Sequence, residues 1–148
     1  MIGLFLSIII FNMAAFRINA HLSKKQIAHI WMFTVAFQTV VDVMIDLKYG
    51  GYWYFSKDID WLSLLAVTVL LPPVNMVFLN WYPLNASIKK KIVYFFYWEI
   101  FMVGYELLTL LPEPWGYFHY GWWNWWYSAL CNPVLLSILL KYYKSFVQ

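Results

Sequence analysis

Charge is what this sequence has least of. Only 11% of its 148 residues are Asp, Glu, Lys or Arg, while 64% are hydrophobic and the mean hydropathy is +0.62. An ordinary soluble domain carries about 25% charged residues, and so short a chain has too little interior to hide this much apolar surface. Lipid is therefore expected to be the solvent for much of it. Cysteine is nearly missing as well. Cys131 stands alone, which excludes an intrachain disulfide and every multi-cysteine zinc motif, and in its apolar run it reads as a buried, inert thiol. There is no Gly-rich phosphate loop, no His-Glu-x-x-His and no Gly-x-Ser-x-Gly elbow. The formal charge of +3 has no basic stripe on a soluble face behind it, so nucleic acid is not an expected partner. No metal and no cofactor is expected either.

Long apolar runs fill the space that charge leaves. Crossing a hydrocarbon core of about 30 Å takes about 20 helical residues, and five stretches approach or meet that, at about 2–18, 27–46, 61–82, 92–111 and 122–142. The runs are continuous rather than alternating, which argues for helices and against a membrane barrel. The first resembles the apolar part of a signal peptide, yet Arg17 lies on its far side, so an uncleaved first span is the better reading. The expected fold is an all-α membrane protein, a single domain of five transmembrane helices.

The few charges then set the orientation. Arg17, Lys24, Lys25, Lys89, Lys90, Lys91, Lys141 and Lys144 fall in the connections of one side and make up eight of the ten basic residues. By the positive-inside rule that side is cytoplasmic, placing the N-terminus outside and the C-terminus inside. Asn85-Ala86-Ser87 matches a glycosylation pattern but lies on the inner side beside Lys89, so it reads as a turn. The other side receives Leu47–Asp60 and Pro112–Gly121, both crowded with rings. From Trp115 to Tyr127 nine of thirteen residues are Trp, Tyr or Phe. Such side chains settle at the membrane–water boundary, bodies in lipid and polar groups in the headgroup layer. Two aromatic loops on one face are expected to pack together as a lid.

Polar groups inside the runs are the informative residues, because a charge at the helix centre costs about 2.5–3.5 kcal/mol on insertion scales. Gln38, Asp42 and Asp46 recur at spacings of four and form one stripe. Glu99 and Glu106 share a face of the fourth helix, Asn75 and Asn80 lie on the third, Asn132 on the fifth and Asn12 on the first. No basic residue lies at their depth. Gln38, Asp42, Asp46, Asn75, Glu99, Glu106 and Asn132 are thus an intramembrane polar cluster with two readings: a polar zipper between helices or a proton- or cation-linked site opening outward. Pro72, Pro73 and Pro133 free backbone carbonyls near Thr68, Val69 and Ala129, which neighbouring helices ordinarily satisfy. On the outer loops Asp58, Asp60, Glu113 and His119 are candidate acid–base groups, with no ligand spacing among them for a metal.

The order of these features resembles the CBO0543 family of small membrane proteins from spore-forming Gram-positive bacteria. The resemblance rests on a helix ending in Asp, the Tyr49–Phe55 loop, Asn80-Trp81-Tyr82-Pro83, and Glu106 before an aromatic loop reaching Trp123-Asn124. It implies a bacterial plasma-membrane protein and no particular chemistry. Pro112-Glu113 is also similar to the acidic Pro-Glu motif of lycopene-cyclase-type membrane domains, but Pro114 and Trp115 replace its second acid and neighbour.

The leading functional expectation is a non-enzymatic multi-pass protein working through helix or subunit contacts, in the bilayer and with a homo-oligomer or another membrane protein as possible partner. The alternative is a proton- or cation-linked transporter or channel for a small solute. A membrane enzyme on an apolar or lipid substrate is the third.

Overall fold

Backbone polar groups have no water to bond inside a bilayer, so a chain this apolar must close its hydrogen bonds within itself. The computed structural model, which describes residues 1–58 and 61–147, does so mainly with five helices. They are α1 (Ile2–Ile18), α2 (Lys24–Lys48), α3 (Trp61–Trp81), α4 (Ile88–Thr109) and α5 (Trp125–Tyr142, continued as a wider turn over Tyr143–Val147). By length and composition α2, α3 and α4 can cross a membrane. At 17 residues α1 is shorter, and α5 opens on Trp125, Trp126, Tyr127 and Ser128 and carries Asn132, which dilutes its apolar character.

α1 and α3 start where expected, α4 starts a turn early at Ile88, and the starts of α2 and α5 shift by three residues for reasons their caps explain. Hydropathy marks where a run turns apolar; capping decides where hydrogen bonding begins. The Ser23 hydroxyl accepts from the Gln26 N–H at 3.3 Å while the Gln26 side chain accepts from the Ser23 N–H at 2.9 Å. That capping box starts α2 ahead of its apolar run. The Asn124 side chain accepts from the Trp126 N–H at 3.0 Å, so α5 starts there and leaves Trp122 and Trp123 to the preceding turn.

Successive helices run antiparallel, with α3 in the middle. More than half of its apolar window is buried, against about a tenth for α2 and α4. Pro72 and Pro73, fully buried, sit just past a wide turn over Ala66–Leu70. The two carbonyls that these prolines release are both satisfied from neighbours: Trp31 Nε1 donates to Thr68 O at 2.9 Å, and Asn12 Nδ2 donates to Val69 O at 3.0 Å. Asn80 accepts from the Ala20 and His21 N–H groups, each at 3.2 Å, and donates to Ile18 O at 3.2 Å. It thereby closes the end of α1. Asn12 and Asn80 each tie α1 to α3 through a backbone carbonyl.

One element was not expected. Tyr52–Tyr54 (β1) and Phe118–Tyr120 (β2) pair as a two-stranded antiparallel ribbon with Tyr52 opposite Tyr120, Trp53 opposite His119 and Tyr54 opposite Phe118. The expected all-helical chain is corrected to that extent, and the two aromatic loops do pack together. Gly50, at φ 58°, ends α2 in a left-handed conformation that favours glycine, and Gly51 O then accepts from both Gly121 N and Trp123 N. α1 begins beneath the same loop, where Gly3 N donates to Pro114 O at 3.2 Å. Away from the ribbon the core is aromatic, with the Phe78 ring packed against those of Tyr82, Tyr94, Phe95 and Trp98.

Candidate functional site

Residues directly opposite in an antiparallel pair project from the same face. Tyr52, Tyr54, Phe118 and Tyr120 therefore share one side of the ribbon, and Trp53 and His119 share the other, where their rings stack 6.0 Å apart. Tyr52, Tyr54 and Phe118 of the first face border a cavity of about 300 Å³ whose walls are α2, α3, α4 and α5. Its lining is mainly apolar, and its polar members are Gln38, Asn75, Glu106, Ser128 and Asn132 with Thr34 and Thr109. The wall positions repeat at three and four residues along each helix, as one face of a helix must.

The carboxylates are held by the ribbon's own tyrosines. The Tyr52 hydroxyl donates to Asp42 Oδ1 at 2.6 Å, and Gln38 Nε2 donates to the same oxygen at 3.0 Å. The Tyr120 hydroxyl donates to Glu106 Oε1, which also accepts from Ser128 Oγ at 2.7 Å. Trp123 Nε1 in turn donates to Ser128 Oγ at 2.8 Å. Thus two facing tyrosines latch one ribbon to two different helices, α2 through Asp42 and α4 through Glu106. Burial lifts both phenols above their ordinary range, so at neutral pH they stay protonated and donate. Deeper in the bundle, Asn132 Nδ2 donates to Glu99 Oε1 at 3.2 Å, and Asn75 Nδ2 to Thr34 Oγ1 at 2.9 Å. Asp42 Oδ2 and Glu99 Oε2 are buried with no hydrogen-bond partner among the described residues.

Four of the seven expected cluster residues, Gln38, Asn75, Glu106 and Asn132, line this one cavity, and Glu99 lies outside the lining, bonded to Asn132. Asp42 stands behind Gln38 and Tyr52, both of which line it. Asp46 falls in the wide turn over Val43–Lys48, half-buried at the ribbon end; the change of helical pitch there takes it off the strict stripe with Gln38 and Asp42. The outer-loop candidates do not converge. Glu113 and Asp58 are exposed and His119 lies on the ribbon's outward face; Asp60 lies outside the described residues. Among the described residues no three His, Cys, Asp or Glu side chains gather as a metal site would need. Sequence reading passed over Tyr52, Tyr120 and Ser128. The alternation in Tyr-Trp-Tyr and Phe-His-Tyr was the available signal for the tyrosines. Comparison with known families, with curated proteins and with solved structures finds no match for this chain.

Proposed function

We propose that the chain spans the bacterial plasma membrane five times, N-terminus outside, and binds a small solute in the cavity beneath the ribbon for proton- or cation-linked passage. Three helices long and apolar enough to cross a membrane support the membrane setting, and the separation of eight basic residues to one end supports the orientation. The observation that carries the functional reading is the cavity that joins Glu106 to the aromatic ribbon. A bundle working only through internal contacts would fill that space with side chains, since protein interiors pack to near-crystalline density. The kinship with CBO0543-type proteins belongs to the same proposal and adds no chemistry.

The native Cys131 lines the cavity and serves as the reporter. In proteoliposomes of known orientation, a neutral hydroxyethyl methanethiosulfonate should label Cys131 from the ribbon side, and labelling should quicken in Tyr120→Phe, where one latch is gone. If Cys131 in the folded protein cannot be labelled from that side, the solute-site reading fails. A second reading, contact with another membrane helix, is favoured by the exposed flank of α4, where a Cβ added at Gly104 would meet nothing and a partner helix could approach closely. Cysteine cross-linking from Gly104→Cys in the Cys131→Ser background tests it.

A further inference from the structure

A cavity's chemistry is set by which groups in its wall still lack a partner. This one has a single carboxyl group in its wall, Glu106; Asp42 is bonded to the wall residues Gln38 and Tyr52, and Glu99 to the wall residue Asn132, from outside the lining. No lysine, arginine or histidine is among the described residues that line it. Both bonds to Glu106 fall on Oε1, which leaves Oε2 for a guest. Asp42, only 8% exposed, keeps Oδ2 unpartnered. A wall with a carboxyl group and no basic side chain gives an anion nothing to pair with.

The roof adds a second, independent feature. The Tyr52 ring lies 5.0 Å from Phe118 and 5.7 Å from Trp123, and Tyr54 lies 5.4 Å from Phe118. Electron-rich ring faces attract a cation within about 6 Å, and cages of such rings recognise quaternary ammonium groups. Below the roof the wall turns aliphatic, with Leu135, Leu136 and Leu139 on α5 and Met102 on α4. An inorganic ion would leave that lower wall without a partner; a neutral hydrocarbon would leave the carboxyl groups without one.

Resting on the solute-site reading above, we infer that the cavity takes a small organic cation, an ammonium head on a compact apolar body. The head sits beside Glu106 under the ribbon rings, and the body lies along α5 toward Leu139. A volume of about 300 Å³ is at the small end for ligand sites and suits a single ring with a trimethylammonium group.

The test compares three methanethiosulfonates of similar size on native Cys131, each rate divided by that reagent's rate on a free thiol in water. The ethyltrimethylammonium reagent should react at least tenfold faster than the sulfonatoethyl reagent, with the neutral hydroxyethyl reagent between them. Glu106→Gln should compress the cation-to-anion ratio to within about threefold, and phenyltrimethylammonium, as a reversible guest, should slow the neutral reagent. The wild-type ratio needs no variant to fold. Equal corrected rates, or no slowing by phenyltrimethylammonium while the neutral reagent still enters, would overturn the cation inference and leave the cavity a solute site. Failure of all three reagents would overturn the solute site itself.

Discussion

If the ribbon is held to the bundle by two tyrosine–carboxylate bonds, removing one should weaken the other. Tyr52→Phe deletes the hydroxyl 2.6 Å from Asp42 Oδ1 and leaves that oxygen its bond from Gln38 at 3.0 Å. Tyr120→Phe deletes the donor to Glu106 Oε1 and leaves the bond from Ser128 at 2.7 Å. A hydrogen bond to a charged group contributes about 1.5–3 kcal/mol, and because each carboxylate keeps one donor, the lower end, about 1.5 kcal/mol, is the expected loss for either variant. Independent bonds would sum to about 3 kcal/mol. The two tyrosines are direct cross-strand partners, so once one latch opens the ribbon lifts and the other bond is already strained or lost. The double variant should then lose only about 2 kcal/mol, a coupling of about 1 kcal/mol in the cycle. Denaturant unfolding in detergent gives the energies. Hydrogen exchange at Gly121 and Trp123, whose N–H groups bond Gly51 O, reports the ribbon directly. Tyr94→Phe, which loses a bond to Phe78 O at the far end, is the control that should destabilise without speeding ribbon exchange. Additivity within about 0.3 kcal/mol, with ribbon amides exchanging at the wild-type rate in both single variants, would refute the shared latch.

Two further outcomes follow from residues away from the cavity roof or from its phenols. Asn80→Ala removes the partner of two N–H groups and a carbonyl at the α1–α2 turn; Ala20 and His21 are exposed, so water takes up part of the loss, and at about 0.5 kcal/mol for each bond, the low end of the net range, stability should fall by about 1.5 kcal/mol, as a thermal-shift assay in detergent would read. Burial raises the pKa of Tyr52 and of Tyr120 above the usual value near 10. With the folded pKa the higher one, stability should be flat below about pH 10 and fall above it, where the unfolded chain sheds the phenolic protons, by at most about 1.4 kcal/mol per pH unit per phenol; a melting temperature already falling between pH 7 and 9 would contradict it.

How much of this was legible beforehand follows from the range of each interaction. Helices announce themselves through local patterning, so the apolar runs were readable to within a turn, and the caps at Ser23 and Asn124 account for the shifted starts of α2 and α5. Proline's consequence was local as well: the carbonyls of Thr68 and Val69 could be named from spacing alone. Their partners Trp31 and Asn12 could not, because those come from other helices. The Gln38–Asp42 bond was visible as a spacing of four. The ribbon was not, since three-residue strands carry little pattern of their own and their pairing joins distant loops. Their rings also have an ordinary explanation at a lipid boundary, which hid the donor role of Tyr52 and Tyr120. The candidate site was therefore half read, with the acids found and the groups that hold them missed.

The ribbon also orders the protein's birth. β1 is made between the second and third helices, whereas β2 is made only after the fourth. Until then the edge of β1 has no strand to pair with, and Glu106, made shortly before β2, has no Tyr120 hydroxyl to accept from. The helices can form one by one, but the chamber between them can be roofed only in the last quarter of synthesis. A nascent chain arrested before Phe118 would therefore hold Asp42 and Tyr52 in an open vestibule, the stage at which a membrane chaperone or quality-control protease would find most to grip.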